Sequence, residues 1–159
     1  MVIPTPGPLY TRYTDQYRRM LRWYSRFERI HNGKDLGDSE RLKDDILAFF
    51  INCFHLKDWV KWDSGIKPET IEGFINENAC LQFCADIANG AKHLVLDHGR
   101  ICTDSGCLRH AILVDKQSSV GKFTLIIQES NEEIIDSFEI ATTCIQKWRE
   151  FFFQNNLNV

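Results

Sequence analysis

Between Ser39 and Asp63 apolar side chains recur three and four residues apart, with Leu42, Ile46, Phe49, Phe50, Cys53, Leu56 and Val60 falling on one stripe. Only an α-helix turns that spacing into a single face. The opposite face is not simply charged, because it carries Ala48, Ile51, Asn52, His55, Trp59 and Trp62. A helix that is apolar on two sides is expected to be buried on two sides, so the second side predicts a dimer mate. Asp38 or Ser39 supplies the cap that starts this helix, and Asp63-Ser64-Gly65 ends it.

The rest of the chain is built around that element. Pro4, Pro6, Gly7 and Pro8 make an extended lead-in, after which Tyr10, Tyr13, Tyr17, Met20, Tyr24, Phe27 and either Ile30 or His31 predict a first helix ending at Asn32-Gly33. Pro68 opens a third helical segment, interrupted near Asn76 to Asn78 and ending near Leu96, with its main stripe at Cys80, Cys84, Ile87, Ala91 and Leu94. The period then changes. His110 to Asp115 and Lys122 to Glu129 are β-rich runs joined by the polar link 116–121, and Thr142 to Phe153 returns to helix. The acidic run from Glu129 to Asp136, interrupted by Ile134 and Ile135, reads as a strand end and helix approach. These elements predict a mainly α fold, an antiparallel helical bundle with a small β-hairpin before the last helix, in a single domain over residues 1–159.

With 43% hydrophobic and 12% aromatic residues, a real core is within reach. A net charge of −3 supplies no global field for a polyanion, so any nucleic-acid contact must be local. No apolar run long enough for a membrane span occurs, and the first residues lack the apolar stretch of a secretory signal. Cys53, Cys80, Cys84 and Cys144 sit among apolar neighbours in helical patterns, where a free cysteine behaves as a small hydrophobe. A reduced, cytoplasmic protein is expected. The phosphate-binding, dinucleotide, zinc-protease and nucleophile-elbow motifs are absent from the sequence, which makes those enzyme classes poor matches.

Two groups of side chains carry the chemistry. His55 precedes Asp58 by three residues, close enough on a helix surface for a carboxylate to orient an imidazole. Asp86, Asn89 and His93, flanked by Lys92, form a polar strip opposite the Cys80 stripe, inside a stretch whose Ala88, Gly90 and Ala91 permit close helix approach. The plain reading makes His55 a satisfied core or interface histidine and the strip a solvated face. If the second face of helix two packs on the strip, all six polar residues meet. Two histidines beside a lysine then suffice for metal-independent acid–base work on a ribose phosphate, with no cofactor.

The segment FFINCFHLKDW followed by CADIANGAKHL, on successive helices before a hairpin and a final helix, resembles the helical HEPN superfamily over residues 40 to 155. Many members are RNases of toxin and antiviral defence systems, and their motif is an arginine, a polar residue and then a histidine, usually paired across a dimer. Asn89 and His93 match the polar and histidine positions, while Ala88 stands where the arginine belongs. The resemblance implies a homodimer acting on RNA, with a cognate antitoxin or partner protein. In it His93 and His55 handle protons, Lys92 contacts phosphate, and Asp58, Asp86 and Asn89 orient them. Lysine lacks the planar fork of arginine. The alternative is therefore a non-catalytic interaction or dimerisation protein whose polar cluster fixes helix register. Arg26 with His31 also fits the spacing, as chance alone allows in a chain with this many arginines and histidines.

A separate set, His98, Cys102, Cys107 and His110, has ligand types that suit zinc but lacks the tight paired spacing of strong zinc motifs. Zinc, a Cys102–Cys107 disulfide and ordinary loop residues all stay open for it.

Overall fold

The computed structural model describes residues 12–35, 37–92 and 136–159, together with the backbone of strand segments lying between 102 and 135. The chain is mainly helical. Five α-helices span Tyr13–His31 (α1), Ser39–Asp63 (α2), Pro68–Glu77 (α3), Ala79–Lys92 (α4) and Ser137–Gln154 (α5).

Local chemistry sets their ends. The Arg12 N–H donates to Asp15 Oδ2 at 3.3 Å at the start of α1, and Asp38 accepts from the Arg41 N–H at 3.3 Å at the start of α2. Each bond satisfies a donor that the first helical turn would leave unpaired. Gly33 and Gly65 take φ of +66° and +74° just past α1 and α2, a conformation that favours glycine. The expected interruption near Asn76 to Asn78 is a true break. Asn78 is extended, and its side-chain amide donates back to the Phe74 carbonyl at 2.7 Å while its own carbonyl accepts from Leu81.

The last helix begins earlier than the sequence pattern predicts, at Ser137 rather than Thr142. Asp136 caps it by accepting from the Phe138 N–H at 2.9 Å, and Ile140 and Ala141 already lie on its buried side. The acidic run hid this start, because Asp136 is a cap and not part of a charged approach.

Backbone strands are assigned to Cys102–Thr103 (β1), Gly106–Cys107 (β2), Arg109–Asp115 (β3), Lys122–Gln128 (β4) and Glu132–Asp136 (β5). β1 pairs with β2, and β3, β4 and β5 follow one another antiparallel, with Arg109 opposite Gln128 and Thr124 opposite Asp136. The side chains from 93 to 135 lie outside the described residues. A hairpin packed on the helices is thus not established, and the firm statement is the helical one.

α1 and α2 run side by side in opposite directions. The Tyr13 N–H donates to Asp63, Gln16 reaches Asn52, and Arg26 pairs with Asp45 at 3.6 Å, so positions rise along one helix as they fall along the other. The whole α2 stripe from Leu42 to Val60 is buried, as the spacing predicts. Phe27, Phe49 and Phe50 pack edge to face at ring distances between 5.2 and 6.2 Å, and α5 adds Trp148, Phe151 and Phe152. Phe50→Ala should lower stability by about 3–5 kcal/mol, whereas Phe153→Ala, at a largely solvated position, should change it by less than about 0.5 kcal/mol. Urea unfolding followed by circular dichroism reads both.

Candidate functional site

α2 presents its two polar site residues outward. His55 Nδ1 lies 3.5 Å from Asp58 Oδ2, one turn along the helix, with both side chains roughly half exposed. The expected pairing of imidazole and carboxylate is therefore present. Lys57, nearly buried, lies 3.4 Å from Asp58 and 3.0 Å from Glu72 on α3, and Lys61 also donates to Glu72. His55 thus stands at the edge of a charge network that pins α3 to α2.

Asp86 behaves differently. It is 2% exposed and lies inside α4, whose residues from Phe83 to Ala88 are buried all the way round. At Asp86 the strip is consequently not the solvated face that its charge suggests. Asn89 is half buried one turn further on. The Lys92 side chain and all of His93 fall outside the described residues, as do His98, Cys102, Cys107 and His110 as side chains.

Of the six, His55 and Asp58 on α2 and Asp86 and Asn89 on α4 are described. Cys53 on α2 and Cys84 on α4 point at each other, their sulfurs lying within 4.8 Å. His55 and Asp86 each follow those cysteines by two positions, about 200° round the helix, so both turn away from the shared interface. At Cys53 and Cys84 the face of α2 that packs on α4 is its core stripe and not its second apolar face.

That second face is also less buried than its composition predicts. Ile51, His55 and Trp59 are half buried, and Trp62 is 91% exposed. Arg19 of α1 lies over the Trp59 ring at 5.9 Å.

The arrangement that sequence reasoning missed involves the residues it assigned to the core. Cys53, Cys84 and Cys144, on three different helices, converge in the interior with all three sulfurs within 4.8 Å of one another. Each belongs to a helical stripe, and the stripes show that each is buried but not that they meet. Three stripes each carrying a cysteine was the one available signal.

No family model, curated protein or solved structure matches this chain.

One electrostatic consequence follows from the network beside His55. Partial burial opposes ionisation of Glu72, but hydrogen bonds from Lys61 and Lys57 outweigh it and hold the carboxyl at about 2. A carboxylate whose folded pKa is depressed adds stability above its unfolded value, near 4.5, and that stability fades as pH falls toward 2. Glu72→Gln should therefore unfold more easily than the parent at neutral pH, and the gap should close between pH 4.5 and 2. Thermal melts across that range measure it.

Proposed function

We propose that this chain is a non-catalytic helical interaction protein that forms a homodimer through the outer face of α2. The observation that carries this reading is Trp62. It stands 91% exposed at the end of a line running Ile51, His55, Trp59 and Trp62, all within about one quarter of the helix circumference. A tryptophan so placed is costly to leave in water and is a favoured anchor when an interface forms over it.

A second copy of the chain suits the face because both signs of charge lie on it. Asp58 is half exposed, Arg19 stacks beside Trp59, and Arg18 is exposed on the same helix as Arg19. In a two-fold pairing each patch meets its own image, so acid and base sit opposite without a second kind of subunit. The buried Asp86 fits the same reading as a polar group that fixes helix register, and Ala88 at the arginine position of the HEPN pattern removes the usual cation. The finer architecture belongs to this proposal: an antiparallel bundle of the five helices, with the β-hairpin before α5, in a cytoplasmic protein.

A second reading keeps the RNA chemistry that the HEPN resemblance implies, in a toxin or antiviral defence protein with a cognate antitoxin. The His55–Asp58 pair favours it, because a half-exposed imidazole 3.5 Å from a carboxylate is oriented for proton transfer. Two assays separate the readings. In sedimentation the parent should run as a dimer and Trp62→Asp as a monomer at the same concentration; a monomeric parent overturns the dimer. Incubated with mixed cellular RNA in EDTA, the parent and His93→Ala should both leave the RNA intact. Cleavage by the parent alone would transfer the assignment to the second reading.

A further inference from the structure

The buried cysteines of α2, α4 and α5 form more than a sulfur-rich patch of core. Cys84 Sγ and Cys144 Sγ are 3.4 Å apart, and Cys53 Sγ lies within 4.8 Å of both. A tetrahedral zinc centre with Zn–S bonds of about 2.3 Å has sulfurs about 3.8 Å apart along each edge. The trio therefore stands close to the spacing of one face of such a tetrahedron. Cys80, one turn before Cys84 and half buried, accepts a hydrogen bond from Cys144 Sγ at its carbonyl at 3.3 Å, and its own sulfur stands outside the 4.8 Å group. Rotation about its χ1 is what would carry that sulfur toward the fourth vertex.

A second feature points into the cluster. The Trp148 indole N–H is completely buried and has no hydrogen-bond partner, yet it lies close enough to Cys53 Sγ to favour the thiolate. A buried N–H left unpaired costs free energy, and a thiolate is an acceptor that removes the cost. Cys84 Sγ and Cys144 Sγ share a hydrogen bond and Cys144 Sγ also reaches the Cys80 carbonyl at 3.3 Å, so the sulfurs are drawn toward one point while the indole keeps no acceptor within hydrogen-bond distance. A bound cation would give the indole its acceptor, because it holds the sulfurs as thiolates.

We propose that Cys53, Cys84 and Cys144 bind a single thiophilic cation of the zinc class as a closed structural site, with Cys80 turning in as fourth ligand and the Trp148 N–H donating to a ligand sulfur. The donor set is all sulfur, which selects zinc or another soft ion over magnesium or calcium. Binding releases each thiol proton to solvent as the metal–sulfur bond forms, and no oxidant is required. This inference is independent of the dimer and RNA readings.

Protein purified without chelator should release one zinc ion per chain on denaturation in a colorimetric chelator. The stripped chain should take up cobalt(II) with the visible bands and near-ultraviolet charge transfer of a tetrahedral thiolate site. Cys84→Ser and Cys144→Ser should lose those bands, and the double variant Cys102→Ser, Cys107→Ser should keep them. Trp148→Phe, which deletes the N–H and keeps the bulk, should weaken zinc binding by about 10- to 100-fold. The parent alone makes the idea falsifiable if a serine variant fails to fold: no released zinc and no cobalt band would overturn it. So would a parent whose mass is lower by two hydrogens because Cys84 and Cys144 have joined as a disulfide. Bands that vanish only in the Cys102, Cys107 variant would place the metal elsewhere and overturn it equally.

Discussion

Trp148 is the side chain around which the described helices close. It is fully buried on α5, stacks with Phe152, meets Phe74 of α3 at 5.8 Å and lies against Cys53 of α2. Because α5 is the last helix, these contacts join segments far apart in sequence, and the core is incomplete until the final residues dock. The end of the chain also returns to its beginning: the Tyr13 hydroxyl donates to the Asn158 carbonyl at 2.9 Å, and Arg149 donates to the Tyr17 hydroxyl. Such long closures cost loop entropy that only extensive apolar burial offsets.

The helical part of the fold was largely legible because its signals are local. The α2 stripe, the glycines ending α1 and α2 and the break at Asn78 each depend on residues within a few positions of one another. Where the reading slipped, a residue had two uses. Asp136 looks like part of an acidic run yet caps α5, and the two isoleucines before it gave no helical period to reveal the start.

The candidate site was less legible because convergence is not a local property. Periodicity showed correctly that α2 has two apolar faces, but it could not say which one meets α4. The core stripe took that place, since Phe49, Phe50, Cys53 and Leu56 bury more completely than a face interrupted by Asn52 and His55. Once Cys53 faces Cys84, helix geometry turns His55 and Asp86 away from that contact, His55 half exposed and Asp86 buried. One packing choice therefore parts these two residues, which spacing alone would allow to meet, and leaves Trp59 half buried and Trp62 exposed.

The same choice brings the cysteines together, and it shows why their identity matters. At a junction of three helices an alanine would fill nearly the same volume as a cysteine without sulfur reactivity, and Ala85 and Ala141 do occupy fully buried positions in the same helices. Packing alone thus gives no reason for sulfur on every one of the three elements. A cation held there would act where the fold is most in need of it: Cys84 and Cys144 are 60 positions apart, so a shared ion closes a long loop that apolar contacts otherwise close alone. It would also tie α2, α4 and α5 at the one point where Trp148 already packs. The unpaired indole N–H, the depth of the sulfurs and the path of the chain are then explained by one bound ion.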